Sequence, residues 1–267
     1  LMFNIKDKNL YFVGGVVRDE LLGIKSPDTD FCYVGNAIDY ALANFGTNVV
    51  KINEKFGTVR VILSGKEIDI ASTRLEVYPK AGHLPVITKI GCSLMEDLKR
   101  RDFTVNTLAK NTLTNEIIDL YNGIRDLKNK KLRVLHDKSF IDDPTRILRG
   151  LKFSVRLNFE LDEYTLNLQQ EYLNNVNYDM SYHRLKKELM DAFNLDKKEV
   201  YEKFIEQKIY CLLSKNSEMP VGNYVKLNDF KPEKQYIWLK YLSAFDLSNI
   251  NLTKKEKQIL KQMAELN

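Results

Sequence analysis

Cysteine and histidine are scarce in this chain. Cys32, Cys92 and Cys211 are odd in number and far apart, and His83, His136 and His183 are equally scattered, so neither a disulfide framework nor a zinc site finds its usual spacing. Such thiol usage suits a reducing compartment and makes the cytoplasm the expected location. No hydrophobic run approaches the length of a membrane span. The opening LMFNIKDKNLYF lacks the apolar stretch and small-residue cleavage site of a secretion signal, so neither export nor anchoring is expected; Leu1 ahead of Met2 reads as a remnant or a cut. Internal repeats and low-complexity tracts are also missing. What is there is 267 residues, 44% of them hydrophobic, enough to bury one large core or two to three small ones. With 41 Lys+Arg against 36 Asp+Glu, the net charge of +5 is compatible with a polyanionic partner. No obligate protein partner is indicated.

The densest chemistry lies in residues 14–30, GGVVRDELLGIKSPDTD. Gly14 and Gly15 follow a short apolar strand and open a helix, where their backbone can approach an anion and the first amides of the helix point at it. Arg18 can fork onto phosphate oxygens, and Asp19 reads as the partner that holds it. In the strand that follows, the two-residue period puts Asp28 and Asp30 on one face, where two carboxylates can share a divalent cation. Taken singly, Gly-Gly is also a plain turn and Asp-x-Asp a solvated edge strand. Joined in one strand, turn, helix, loop and strand unit, they favour nucleotide binding with metal.

Over the first hundred residues strand and helix signals alternate: 10–13, 30–34, 48–52, 57–63 and 66–71 read as strands, 16–22 and 36–45 as helices, and Ser64-Gly65 as a hairpin turn. A small sheet with helices packed on one face is expected. Ile68 and Ile70 facing the core would turn Asp69 to the open side with Asp28 and Asp30, as a third carboxylate or as an ordinary solvent-facing acid. Residues 73–93 carry Pro79, Gly82 and Pro85 and read as a loop. From Ser93 onward the chain turns helical, with a capping box at Ser93 and Glu96 ahead of LMEDLKRRDFTVNTLA. Asp143-Pro144 begins TRILRGLKFSVRL with a core stripe of Ile147, Leu148, Leu151 and Val155. Further helix starts fall at Asp162 and Ser181, and 197–213 has helical spacing. A looser stretch with Pro220, Gly222 and Pro232 then leads to Tyr236, Trp238, Tyr241 and Phe245, whose spacing assigns them to packing. Lys254, Lys255, Lys257 and Lys261 line a terminal helix as a solvated face or a phosphate-binding one.

GGVVRD, the paired aspartates of SPDTDF, RRDFTVN at 100–106 and DDPTRILRGLKF at 142–153 occur in one order. Through these motifs residues 10–190 resemble the class II CCA-adding enzymes and bacterial poly(A) polymerases, template-independent nucleotidyltransferases of the DNA polymerase β superfamily. Beyond about Leu195 the resemblance fades, so part of the RNA-holding body is missing or divergent. The resemblance implies that Asp28, Asp30 and Asp69 are catalytic, with Asp28 and Asp30 holding two magnesium ions. It implies that Gly14, Gly15, Arg18 and Asp19 belong to a phosphate cradle. Arg101, Asp102 and Asn106 match positions that contact the incoming nucleotide, Asp102 and Asn106 lying one helical turn apart if the helix continues; Lys99 and Arg100 read as solvated charges. Asp142, Asp143 and Arg146 match the group that reads the Watson–Crick edge of the nucleotide in place of a template, Asp143 having a rival role as helix cap. Arg149 reaches a phosphate or is solvated. The run YPKAGHLP looks more like enzymes that add A alone.

The expected fold is therefore α+β, a polymerase-β-like nucleotidyltransferase head followed by an all-α neck and body. The expected divisions are a catalytic head at 1–130, a neck with the nucleotide-recognition motif at 131–195, and a helical body at 196–267. The implied activity is magnesium-dependent addition of C, A or both to the 3′ end of tRNA from ATP and CTP, with release of pyrophosphate. Poly(A) addition to other RNA ends is the alternative within the class, and a non-catalytic RNA- or nucleotide-binding protein the alternative outside it.

Overall fold

The computed structural model describes residues 5–220 and 230–266. Two units are distinguished: one runs to Pro79 and resumes at Pro85–His136, while the other comprises Lys80–Leu84 and the chain from Asp137 onward.

Along the first unit come β1 (Leu10–Val13), α1 (Gly15–Leu22), β2 (Asp30–Tyr33), α2 (Ala37–Phe45), β3 (Val49–Asn53), β4 (Thr58–Leu63), β5 (Lys66–Ser72), β6 (Arg74–Val77), β7 (Val86–Ile90), α3 (Leu94–Lys99), β8 (Ala109–Asn111), β9 (Ile117–Ile118) and α4 (Gly123–Lys128). A seven-stranded sheet has the order β3-β4-β5-β2-β1-β8-β9. It is mixed: β2 and β5 run parallel and the other neighbours antiparallel. Because side chains alternate across each strand, Leu10, Phe31, Val59, Val61, Ile68 and Ile70 close over Ala37, Tyr40 and Ala41 of α2. Phe12 extends this layer to Val16 and Val17 of α1. Turned the other way, Val13, Cys32 and Ala109 meet Leu98 of the short helix α3. The β4–β5 turn takes φ of 50° at Ser64 and 73° at Gly65, the left-handed pair that matches the twist of a hairpin.

Three sequence-based expectations change here. Residues 73–93 are not a loop: β6 and β7 pair as an antiparallel hairpin, because RLEV and VITKI are strand formers and Pro79, Gly82 and Pro85 punctuate only their connection. The helix announced by the Ser93 and Glu96 capping box is real but stops at Lys99. Phe103 bridges to Val134 and Thr104–Asn106 forms a single tight turn before β8 rejoins the sheet. Finally, β2 begins at Asp30; Ser26 Oγ donates to the Asp28 carbonyl at 2.9 Å, holding residues 26–28 in a local turn ahead of the strand.

The second unit contains α5 (Ser139–Asp142), α6 (Thr145–Leu157), α7 (Glu163–Asn174), α8 (Tyr182–Phe193), α9 (Lys198–Glu206), α10 (Ile237–Leu242) and α11 (Lys254–Glu265). Ile147, Leu148, Leu151 and Val155 are buried as the stripe of α6, which packs on α8 and α9. Asp162 and Ser181 cap α7 and α8. The helical spacing of 197–213 breaks after Glu206 into a short turn at Ile209–Leu212. Trp238, Tyr241 and Phe245 are buried, Tyr241 and Phe245 packing with Phe193 and Phe204, so these aromatics pack as expected. Lys254, Lys255, Lys257 and Lys261 are exposed on α11. Gly222 lies outside the described residues. Among the described residues no helix is long and apolar enough to cross a membrane.

Gly57, ahead of β4, has φ of 64°, and a Cβ there would lie 2.9 Å from Ile90 Cδ1 and 3.0 Å from Ser72 Oγ. Gly57→Ala is expected to destabilise the protein by about 1–3 kcal/mol, read as a lowered midpoint in chemical denaturation.

Candidate active site

Parallel pairing sets Asp30 of β2 opposite Asp69 of β5. Since Phe31, Ile68 and Ile70 turn into the α2 core, both aspartates emerge on the opposite face. Asp28 is exposed just ahead of the strand. Although Asp30 as a residue is exposed, its carboxyl is pushed above the usual range, first by desolvation and then by Asp28 and Asp69, against the pull of Arg101. Asp69 is turned to Arg60, with Nε to Oδ1 at 2.7 Å and Nη2 to Oδ2 at 2.8 Å. That bidentate pair holds its carboxyl below the usual range. Among the described residues no three His, Cys, Asp or Glu side chains are gathered closely enough to hold a metal ion. Asp28 and Asp30 offer only carboxylate oxygens, the donor type that suits a hard divalent cation such as magnesium, and the like-charge repulsion that adds to desolvation at Asp30 is what a cation would relieve.

The glycine pair lies at the opening of α1. Gly14, with φ of 71° and ψ of −130°, is the N-cap and no side chain caps the helix. A Cβ on Gly14 would lie 3.5 Å from Arg101 Nη1, and one on Gly15 3.4 Å from Arg18 Nη2. The Arg101 guanidinium thus lies beside a helix start that already favours anions.

Arg18 itself is turned inward rather than towards a ligand. It is 2% exposed; Nε and Nη2 lie 2.8 Å from Asp19 Oδ1, and Nη1 donates to Asn106 Oδ1 at 2.6 Å. The reason is Asp19, which is fully buried and demands a cation. Its reading as the partner of Arg18 holds. Asn106 Nδ2 donates to Asp102 Oδ1 at 3.0 Å; the tight turn at Thr104–Asn106, not a continuing helix, brings the two together.

Sequence reasoning missed Asp97. This carboxylate is fully buried and accepts from Arg101 Nη2 at 3.2 Å, from Arg100 Nε and Nη2 at 3.2 and 3.1 Å, and from the Arg74 amide at 3.0 Å. Burial alone would push its carboxyl up; Arg101, Arg100 and the Arg74 amide bring it below the usual range. The available signal was the pair of arginines three and four residues on. Arg100, expected to be solvated, is instead held between Asp97 and Glu76, whereas Lys99 is exposed.

In the second unit, Asp143 is almost fully buried: Oδ1 accepts from the Thr145 amide at 3.2 Å and from its hydroxyl, and Oδ2 from Arg184 Nη2 at 2.7 Å. Oδ1 thus holds the first amide of α6, while the N-cap position itself is taken by Pro144. Arg146 is buried and donates from Nη1 to Ser139 Oγ at 3.0 Å. Asp142 is half-buried at the end of α5, and its carbonyl accepts from the Gly82 amide at 3.0 Å. Arg149 is half-buried, 3.7 Å from Glu188 and over the ring of Phe153 at 5.2 Å.

The sequence profile of the family described as poly A polymerase head domain matches residues 10–133. The A-adding tRNA nucleotidyltransferase of Halalkalibacterium halodurans is 38% identical over 245 residues, 88% of this chain and 52% of that protein. Another A-adding tRNA nucleotidyltransferase, from Aquifex aeolicus, is 45% identical over 170 residues, 61% of this chain and 20% of that protein. A solved tRNA nucleotidyltransferase complexed with a primer tRNA and an incoming ATP analog is 30% identical, with a TM-score of 0.71 over 96% of this chain and 76% of that one. The chain spans between about a fifth and a half of the length of these curated relatives.

Asp97→Asn keeps the side-chain size and removes the charge that Arg100 and Arg101 balance. Stability at neutral pH is expected to fall by about 3–5 kcal/mol. Because the native carboxyl sits below its ordinary value of about 4, the advantage of the wild type is complete above that pH and is lost as pH falls through the lower native value. Urea unfolding of both proteins between pH 3 and 7 checks this.

Proposed function

Because the chain belongs to the poly(A) polymerase and tRNA nucleotidyltransferase family, we propose that it is a template-independent nucleotidyltransferase that extends the 3′ end of tRNA with A, or with C and A, from ATP and CTP. The observation that carries this reading is the placement of Asp30 opposite Asp69 on the face turned away from the core. In the reaction the RNA 3′-hydroxyl attacks the α-phosphorus, the bond to the bridging oxygen of the β-phosphate breaks, and pyrophosphate leaves. Asp28 and Asp30 would hold magnesium, with Asp69, here paired with Arg60, beside them as the third carboxylate. When bound, the metal lowers the pKa of the attacking hydroxyl and offsets the charge of the triphosphate and the departing pyrophosphate.

The remaining groups position the reactants, and most of the rate enhancement comes from that positioning. The glycine-pair amides and Arg101 receive the phosphates. Asp102, with Asn106 beside it, accepts from the ribose 2′-hydroxyl. Asp142 and Asp143 accept from the exocyclic amine of adenine or cytosine while Arg146 donates to ring acceptors. Asp143 and Arg146 are held for this by Thr145, Arg184 and Ser139, so little ordering remains to be done on binding. On this reading residues 1–130 are the catalytic head, 131–195 the neck and 196–267 the RNA-holding body. The free cysteines Cys32, Cys92 and Cys211 suit work in a reducing cytoplasm.

Incubation with magnesium and labelled ATP or CTP of tRNAs ending before, within and after the CCA tail tests the proposal. Extension by defined lengths is expected; long A tracts on any RNA would favour a poly(A) polymerase, and binding without extension a non-catalytic protein. Asp30→Ala is expected to reduce extension more than about 10³-fold with RNA affinity retained. Replacing Arg146 by Ala is expected to scramble the choice among nucleotides more than it slows each one, measured as ratios of kcat/KM.

A further inference from the structure

Four enclosed side chains of the first unit form a continuous line of hydrogen bonds. Asp19 Oδ1 receives Arg18 Nε and Nη2, each at 2.8 Å; Arg18 Nη1 donates to Asn106 Oδ1 at 2.6 Å; Asn106 Nδ2 donates to Asp102 Oδ1 at 3.0 Å. Arg18 is 2% exposed, Asp19 0%, and Asn106 and Asp102 7% each. Arg18 and Asn106 lie 88 residues apart in sequence, so the line ties the start of α1 to the turn before β8.

Donor chemistry fixes the direction of every link. A guanidinium offers only N–H groups, so the atom of Asn106 that meets Arg18 is its oxygen, and its nitrogen is left to face Asp102. A reversed amide would oppose N–H to N–H on one side and oxygen to carboxylate on the other. Asp102 Oδ1 also accepts the Phe103 amide at 2.7 Å, and two donors converging on one oxygen define the plane of the carboxylate. Lysine could not replace Arg18, because a single ammonium cannot present a planar fork to Asp19 and a separate N–H to Asn106.

We propose that Arg18 is a positioning residue for sugar selection: by orienting the Asn106 amide it sets Asp102 to accept from a ribose 2′-hydroxyl, and so makes the protein prefer ribonucleotides to deoxyribonucleotides. This rests on the nucleotide site assigned above to Asp102 and Asn106. Arg18 itself touches neither sugar nor phosphate. Its effect is on the difference between two nucleotides that share base and triphosphate.

Equilibrium binding of ATP and 2′-deoxyATP in the presence of magnesium, measured by calorimetry on the full chain, tests the inference. For Arg18→Lys the ratio of the two dissociation constants is expected to fall about tenfold towards unity, the equivalent of one charge-assisted hydrogen bond, with 2′-deoxyATP affinity little changed. A merely structural role would weaken both nucleotides alike and leave the ratio at the wild-type value, which would overturn the inference. Asp19→Asn keeps the arginine but loosens its clamp. It gives the same comparison if Arg18→Lys does not fold: a partial fall in the ratio supports the inference and an unchanged ratio overturns it. If circular dichroism shows that neither variant folds, the line of hydrogen bonds is structural alone and the inference fails. A wild type that binds neither nucleotide defeats the proposed function instead, and this inference with it.

Discussion

The register between two parallel strands governs the head. Like charges placed directly opposite each other destabilise a sheet, yet β2 and β5 put Asp30 against Asp69. What enforces that register lies on the other face, where Phe31, Ile68 and Ile70 are between 0% and 2% exposed. A slip of one residue would send these side chains to solvent and the aspartates into the core. Hydrophobic burial therefore supplies the energy that holds two acids side by side on the open face, and core and candidate site are two faces of one alignment.

Arginines around this alignment are held by buried carboxylates. Asp97 holds Arg100 and Arg101, Asp19 holds Arg18, and Asp126, 1% exposed, accepts from Arg133 at 3.1 Å and from Thr104 Oγ1 at 2.6 Å. Buried ion pairs of this kind are weak evidence for stability, because desolvation offsets most of the attraction. Their value here is geometric. A planar guanidinium fixed by two or three bonds presents its remaining N–H groups in one direction only, and each of these pairs lies beside a motif that the sequence marks as chemical.

Much of this was legible beforehand. Alternation in 57–63 and 66–71 with Ser64-Gly65 between them predicted the β4–β5 hairpin, and the same alternation put Asp69 on the open side because Ile68 and Ile70 had to face in. Capping residues announced α3, α7 and α8, and Asp143-Pro144 the start of α6. The β6–β7 hairpin was hidden because two prolines and a glycine in its connection outweigh the strand signal of its flanks. The short length of α3 was hidden because the long-range bridge of Phe103 to Val134 ends a pattern that local propensity would continue. The inward turn of Arg18 and the role of Asp97 depend on burial, which a linear pattern does not encode for charged residues. An arginine next to a glycine pair reads as a ligand for phosphate until a partner far along the chain claims its N–H groups.

The connection between β6 and β7 has a consequence for how the protein is made. Lys80–Leu84 belong to the second unit although the strands on either side belong to the first. His83 Nε2 meets the Asp179 carbonyl 96 residues further on, and the Ser181 amide donates to the Gly82 carbonyl at 2.9 Å. On the ribosome, the sheet of the first unit can close well before the tip of its own hairpin has anything to bind. A gene fragment cut at the junction near His136 would inherit that unfinished tip, so excising either half cleanly requires redesigning this connection as well as choosing where to truncate.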